Sequence, residues 1–209
     1  MVIAVDQIFS PDALAHALDS VSRHYPHVRV QLHETVLNGG VEMLYDGRAD
    51  LVVSGIAAQG FLGEPLVNVE FLAVSHPEHP LQHLGRELDL RDLEQHRQLV
   101  VRDSALHQSM DAGWLKAEQR WTLSHLVTSF DMLCRGLGFA WMPTTRIREA
   151  LHMGTLVPLP LALGGRRETP MQLIFRDRDR AGPATRALAA ALHEAVTDCC
   201  DEHSIETND

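Results

Sequence analysis

The sequence predicts an α/β fold, and three observations carry that prediction. Apolar runs of strand length recur between helical stretches that show an apolar stripe. Turn residues punctuate the changes of element, at Pro26, Gly47 and Pro143. The segment Thr35–Ser54 also holds one whole arm of a βαβ unit: a loop, an amphipathic helix, a glycine stop and a buried strand. In that arm Val41, Leu44 and Tyr45 recur at helical spacing. Gly47 supplies a left-handed cap, and Leu51-Val52-Val53 suits a strand covered on both faces.

Taken in order, Val2–Val5 reads as the opening strand. Ser10 caps a helix with Pro11 at its first position, and Leu14, Ala17, Leu18 and Val21 form its stripe until Tyr25-Pro26 ends it. Val28, Val30 and Leu32 alternate with polar residues at the period of a strand. After the Thr35–Val53 arm, Leu66–Val74 is strand-like and stops at Ser75-His-Pro. Residues 76–85 read as a polar, proline-punctuated crossover. Leu99–Val101 is the next strand. Ser129 is placed as the cap of a helix bearing Phe130, Leu133, Cys134 and Leu137, followed by a strand at Phe139–Met142 and a helix from Thr144 or Thr145 to Leu151. Met171–Phe175 returns as a strand after the Gly164-Gly-Arg-Arg loop. A long helix from about Pro183 then lines up Leu188, Ala191, Leu192, Ala195, Val196 and Cys199. Residues 201–209 are acidic and expected to be a disordered tail.

The chain has 209 residues, enough for a sizeable core in one domain or two small lobes. Its net charge of −10 opposes a nonspecific nucleic-acid surface, which needs clustered cations. No apolar run reaches membrane-spanning length, and no basic stretch leads an apolar one at the N-terminus, so no membrane partner is expected. Cys134, Cys199 and Cys200 do not make a disulfide framework, which fits a reducing, cytoplasmic setting.

Several phrases carry a family resemblance. They are Ile3-Ala-Val-Asp6, Tyr25-Pro-His-Val-Arg29, Asp46-Gly-Arg-Ala-Asp-Leu51 and His79-Pro-Leu81, in that order. Arg135-Gly-Leu-Gly-Phe-Ala-Trp-Met-Pro143, Gly154-Thr-Leu-Val157 and Met171-Gln-Leu-Ile-Phe-Arg176 follow. Together they resemble the effector-binding domain of LysR-type transcriptional regulators, over roughly residues 2–198. The resemblance implies a type II periplasmic-binding-protein-like fold of two α/β lobes joined by two crossover strands. Lobe I would comprise residues 1–73 and 174–200, and lobe II residues 74–173, with crossovers near Phe71–Ser75 and Met171–Phe175. It also implies a small-molecule effector in the cleft between lobes, and a homodimer or homotetramer built on the helices Asp12–His24 and Ser129–Arg135. The winged helix-turn-helix of such regulators has no counterpart in this sequence, so DNA contact is expected only through a segment outside it. No cofactor is implied.

Candidate ligand residues follow from strand and helix ends. In open α/β sheets ligands gather at the carboxyl ends of strands, where helix N-termini offer N–H groups. The residues so placed are Gln7, Ile8, Phe9, Ser10, Leu37, Asn38, Gly39, Arg102, Asp103, Ser104, Ser129 and Phe130. Helix capping alone would also account for Ser10, Asn38 and Ser129. Ile8, Phe9 and Leu37 stand where many relatives carry small polar residues, which favours an effector with an apolar body, though all three also suit a core. Arg102 could add a formal charge, so an organic anion is the expected ligand.

Other chemistry reads weakly. His76, Glu78, His79 and His83 resemble a metal cluster, yet Pro77 and Pro80 break the helix such ligation needs, and a surface turn is the favoured reading. Asp103, Ser104 and His107 include the residue types of a hydrolase triad without a Gly-x-Ser-x-Gly elbow. The chain is therefore expected to sense, not to catalyse. A solute-binding protein or an enzyme on the same scaffold are the alternatives.

Overall fold

The computed structural model describes residues 1–205, with side chains described to residue 197. In chain order the elements are β1 (Val2–Asp6), α1 (Pro11–His24), β2 (Gln31–Thr35), α2 (Asn38–Tyr45), β3 (Leu51–Ser54), β4 (Gly63–Ser75), α3 (Leu90–Glu94) and β5 (Gln98–Val101). They continue with β6 (Arg120–Leu123), α4 (Leu126–Cys134), β7 (Phe139–Pro143), α5 (Thr144–His152), β8 (Val157–Pro158), β9 (Arg166–Phe175) and α6 (Pro183–Ile205). A 3-10 turn at Pro80–His83 lies between β4 and α3.

The chain divides into two units. Unit 1 holds residues 1–68, 105–108 and the segment from 170 onward; unit 2 holds 69–104 and 109–169. The expected changes of lobe lay at 73/74 and 173/174. Here they fall at 68/69 and 169/170, inside β4 and β9, where an unbroken strand leaves no residue signal. The short excursion at 105–108 was not foreseen.

In unit 1 the strands run β2-β1-β3-β9, parallel except for the antiparallel β3–β9 pair. The period of two sends Ala4, Val52 and Ile174 to one face, where they pack with Val41, Met43 and Leu44 of α2. Ser10 caps α1 as expected, accepting the Ala13 N–H, and α1 lies against α6. Two expectations need correction. β2 begins at Gln31 and not at Val28, and as the outermost strand it leaves Val30 40% and Leu32 42% exposed. Tyr45 is exposed and not on the buried stripe; its ring sits edge-on to Phe61 at 5.7 Å.

Unit 2 centres on β4-β7-β5-β6. β4 and β7 are antiparallel, the next two pairs are parallel, and β8 adds to β4. Alternation along β4 and β7 feeds two cores. Leu72, Val74, Ala140 and Met142 join Leu126 and Leu133 of α4 and Ile147 of α5. Ala73 and Phe139 face the opposite way, onto Leu81, Leu88 and Leu93. Trp114, Phe139 and Trp141 form an aromatic cluster on that side, with ring centroids about 6 Å apart. β6 and α3 had no forecast. β6 is four residues long with little burial, and α3 is a five-residue helix closed by an Asp89–Asp92 capping box.

The helix assigned to Ser129 as cap starts earlier, at Leu126 with His125 as its N-cap residue, and Leu137 lies beyond its end. Asn38 is likewise not a cap: it is the first residue of α2, and Leu37 precedes it with no side-chain cap bond. α6 extends to Ile205, so the first five residues of the tail expected to be disordered are helical; 206–209 lie outside the described residues. The Cys199 side chain, expected on the apolar face of α6, also lies outside them.

Gly138 lies close against backbone in unit 2. A Cβ there would stand 2.5 Å from the Arg97 carbonyl oxygen, the atom that accepts the Phe139 N–H. Backbone cannot give way as a flexible side chain would. Gly138→Ala is therefore expected to cost about 2–3 kcal/mol in urea denaturation, with no change in slope.

Candidate functional site

In unit 1 the candidate residues gather around Asp6, at the carboxyl end of β1 and only 3% exposed. Its Oδ1 accepts the Ile8 N–H at 3.1 Å and its Oδ2 the Leu37 N–H at 2.9 Å. The Gln7 N–H donates to the Thr35 carbonyl at 2.8 Å, so the loops after β1 and β2 are tied twice. Leu37 needs the tie. Among the described residues it is the one non-glycine residue with positive φ, at 52°, a conformation that costs a bulky residue about 1–3 kcal/mol. Such strain persists only where neighbours hold it, and it gathers at ligand clamps and switches.

α2 starts at this strained residue and lies close on the sheet. A Cβ at Gly40 would be 3.1 Å from both Thr35 Oγ1 and a Val52 methyl. The Thr35 hydroxyl is buried and has no hydrogen-bond partner among the described residues. Of the expected contacts here, Phe9 is 1% exposed and belongs to the core, and Gly39 and Gln7 are buried. Ile8, Ser10, Leu37 and Asn38 are half-buried, and the Ser10 hydroxyl is occupied in capping α1.

In unit 2, Arg102 leaves the end of β5 with its N–H on the Leu123 carbonyl and its residue exposed. Asp103 is buried, and its Oδ2 accepts the Met110 N–H at 3.0 Å, so this carboxylate braces its own loop. Ser104 is exposed beside it. Ser129 lies on the first turns of α4, 1% exposed, and its Oγ finds no partner among the described residues. A buried hydroxyl without a partner normally costs about 1–3 kcal/mol, which makes it a place where a ligand group would gain. Phe130 packs against the core below α4.

Arg167 was not among the expected contacts. Its guanidinium lies 4.5 Å over the Phe71 ring, makes no ion pair among the described residues, and has its pKa drawn down by burial. Gly113, in the loop after β5, comes so near that a Cβ would lie 2.5 Å from Arg167 Nη1. The only sequence signal was its place in the Gly164-Gly-Arg-Arg loop, where it reads as a solvated turn residue.

The His76–His83 segment is not a plain surface turn. His79 is 6% exposed and caps the 3-10 turn, its Nδ1 accepting the Leu81 N–H. Its ring stands 5.3 Å from that of His96. A cavity of about 420 Å³ in unit 1 is lined by Asp50, Arg176, Asp177, Arg180 and the start of α6, and by none of the expected ligand residues. Arg176 pairs with Asp50 and Arg180 with Asp177, so it offers no surplus charge.

A model of the LysR substrate binding domain matches residues 1–197. The chain belongs to the LysR substrate-binding-domain family. A probable hydrogen peroxide-inducible genes activator of Streptomyces viridosporus is 29% identical over 205 residues, 90% of this chain and 63% of its own length. An uncharacterized HTH-type transcriptional regulator of Escherichia coli, YeeY, is 28% identical over 162 residues, 75% of this chain and 52% of its own length. The chain thus spans about half to two-thirds of these curated relatives, which are transcriptional regulators. Among solved structures, the regulatory domain of MetR, a LysR family regulator from N. meningitidis, aligns over 93% of this chain and 92% of its own, with a TM-score of 0.70 at 18% identity. Reduced OxyR aligns with a TM-score of 0.67 at 19% identity, covering 92% and 93% of the two chains. The fold is that of LysR regulatory domains, type II periplasmic-binding-protein-like. Among the described residues no helix is long and apolar enough to cross a membrane.

Proposed function

We propose that this LysR substrate-binding-domain chain senses a small organic anion with an apolar body, as the regulatory part of a transcriptional regulator. The observation that carries this reading is the Ser129 hydroxyl, buried without a partner on the first turns of α4. A helix N-terminus favours an anion by only about 0.3–1 kcal/mol when exposed, so formal charge is needed beside it. Arg102 and Arg167, both without an ion pair among the described residues, would supply it. Taken by itself, unit 1 would offer small-molecule contacts of its own, with the half-buried Ile8 and Leu37 for an apolar group and N–H groups at the start of α2. Binding would act by shifting populations of conformations, not by catalysis. DNA would be contacted through a segment outside this chain, and the chain would work as a homodimer or homotetramer with α1 and α4 as its pairing helices.

A calorimetric screen of matched acids, amides and esters tests the reading. Acids should bind at least tenfold more tightly than their neutral analogues, and Arg102→Gln or Arg167→Gln should erase that preference. Ser129→Ala should weaken the acid about five- to tenfold while leaving the unliganded domain equally or more stable, because it removes an unsatisfied buried oxygen. Equal binding by the neutral analogues would overturn the anion assignment. A monomer at all concentrations up to high micromolar, by sedimentation, would overturn the pairing.

A further inference from the structure

Residues 105–108 pack as part of unit 1, although the chain on either side belongs to unit 2. They lie along the first turns of α2 and are held by two of its side chains. Asn38 and Glu42 are four apart, so both project from one face of the helix. The Asn38 amide donates to the Gln108 carbonyl at 2.8 Å. One turn on, the Glu42 carboxylate accepts the Leu106 N–H at 3.0 and 3.1 Å and the His107 N–H at 3.0 Å.

The bonds from Asn38 and Glu42 are polar and reach the backbone of the segment. Leu106 is 79% exposed, and His107 and Gln108 are exposed as well, so none of these three side chains anchors it; Ala105 is half-buried. Two adjacent N–H groups on one carboxylate are charge-assisted bonds, roughly twice the strength of neutral ones. Those bonds lower the Glu42 pKa, with the His107 N–H the largest cause. The His107 side chain and Arg48, the latter at 3.9 Å, are the charged groups beside Glu42, and Arg48 would claim the carboxylate if the segment left. A segment whose Leu106, His107 and Gln108 side chains are exposed, and whose bonds to α2 are polar, should open more readily than the core beneath it.

We propose that residues 105–108 form a strap over the N-terminal turns of α2, that Glu42 is its latch, and that release of the latch gates access to the small-molecule contacts at the start of α2. The Gln108 carbonyl already takes one N–H of the Asn38 amide, so a ligand that uses this N–H must first displace the strap. Glu42 is then a positioning residue: it sets when the helix start is open, without touching the ligand. The inference rests on the effector-sensing reading for what the strap admits, but its latch can be tested with no ligand.

Amide hydrogen exchange resolved by residue on the full chain makes the test. In wild type, the Leu106 and His107 amides should be protected despite their exposed side chains. Glu42→Ala should speed their exchange at least tenfold, Glu42→Gln should do so to a smaller extent, and Leu51–Val53 in β3 should stay unchanged. If the strap is a gate, the Asn38 and Gly40 amides at the start of α2 should accelerate with it. Unprotected Leu106 and His107 in wild type, or protection unaltered in Glu42→Ala, would overturn the latch. Acceleration of the strap amides without any at Asn38 and Gly40 would overturn the gate. Failure of the acid-versus-neutral screen would remove the anion reading and leave the exchange result standing.

Discussion

Asp6→Asn is expected to destabilise the chain by about 2–4 kcal/mol, although it changes one atom of a small side chain. The carboxylate receives two backbone N–H groups, Ile8 on one oxygen and Leu37 on the other, in a place only 3% exposed. An amide can keep one of these bonds. At the other its NH2 group must face an N–H, so a buried donor is left unpaired at about 1–3 kcal/mol. Loss at the Leu37 side would add to this, since the 52° φ there has its N–H held by Asp6. Denaturant midpoints would measure the loss. If the amide turns its oxygen toward Leu37, the Ile8 N–H becomes the orphan, so either orientation predicts destabilisation. Asp6→Asn within 0.5 kcal/mol of wild type would show that the two loops after β1 and β2 are held by something else.

The same residue shows why part of the site was legible and part was not. A strand end followed by Ser10-Pro11 can be read from residue types, because capping by a hydroxyl and the fixed φ of proline are local chemistry. A short apolar run is local as well, and it marks β5 and β7 in the sequence, whereas the crossover role of Phe71–Ser75 and Met171–Phe175 comes only from the family resemblance. What Asp6, Glu42 and Asn38 do is not local. Each meets backbone N–H or C=O groups from 31 to 70 positions away, and backbone groups carry no sequence signature. Ser129 misled for another reason. It occupies a position on the buried stripe Leu126, Ser129, Leu133, so a polar residue inside the helix looked like its start. β6 was missed because Arg120-Trp-Thr-Leu123 is short and mostly exposed, without the apolar run of a covered strand. Arg167 and the strap sit in stretches whose glycine, serine and charged residues read as solvated loop, and only packing reveals that one cation lies on an aromatic ring and one loop on a carboxylate.

His79 should make unit 2 acid-sensitive in a window that ordinary carboxylates do not cover. Its ring is buried, its Nδ1 accepts the Leu81 N–H, and the His96 ring stands 5.3 Å away. Burial, then the charges of His96 and His76, lower its pKa from 6.5 to about 4. Because the folded value lies below the unfolded one, the unfolded chain takes up the proton first as pH falls. The stability contribution is thus complete above pH 6.5, declines between 6.5 and 4, and is gone below 4. Protonation of Nδ1 would also take away the acceptor for Leu81. The size follows from the shift, on the order of 2–3 kcal/mol between pH 7.5 and 4.5. Asp92 does not confuse the measurement: its bond to Arg86 holds it at about 2, so its own loss begins only below the usual carboxylate value of 3.8. Urea denaturation at half-unit steps from pH 7.5 to 4.5 should show wild-type stability falling across that window. His79→Asn keeps a side-chain acceptor for the Leu81 N–H but cannot titrate, so it should start less stable, from the lost ring packing, and fall much less steeply. Wild-type stability that is flat from pH 7.5 to 4.5, or an equal fall in His79→Asn, would show that the ring takes its proton without leaving its place and that the acid response lies elsewhere.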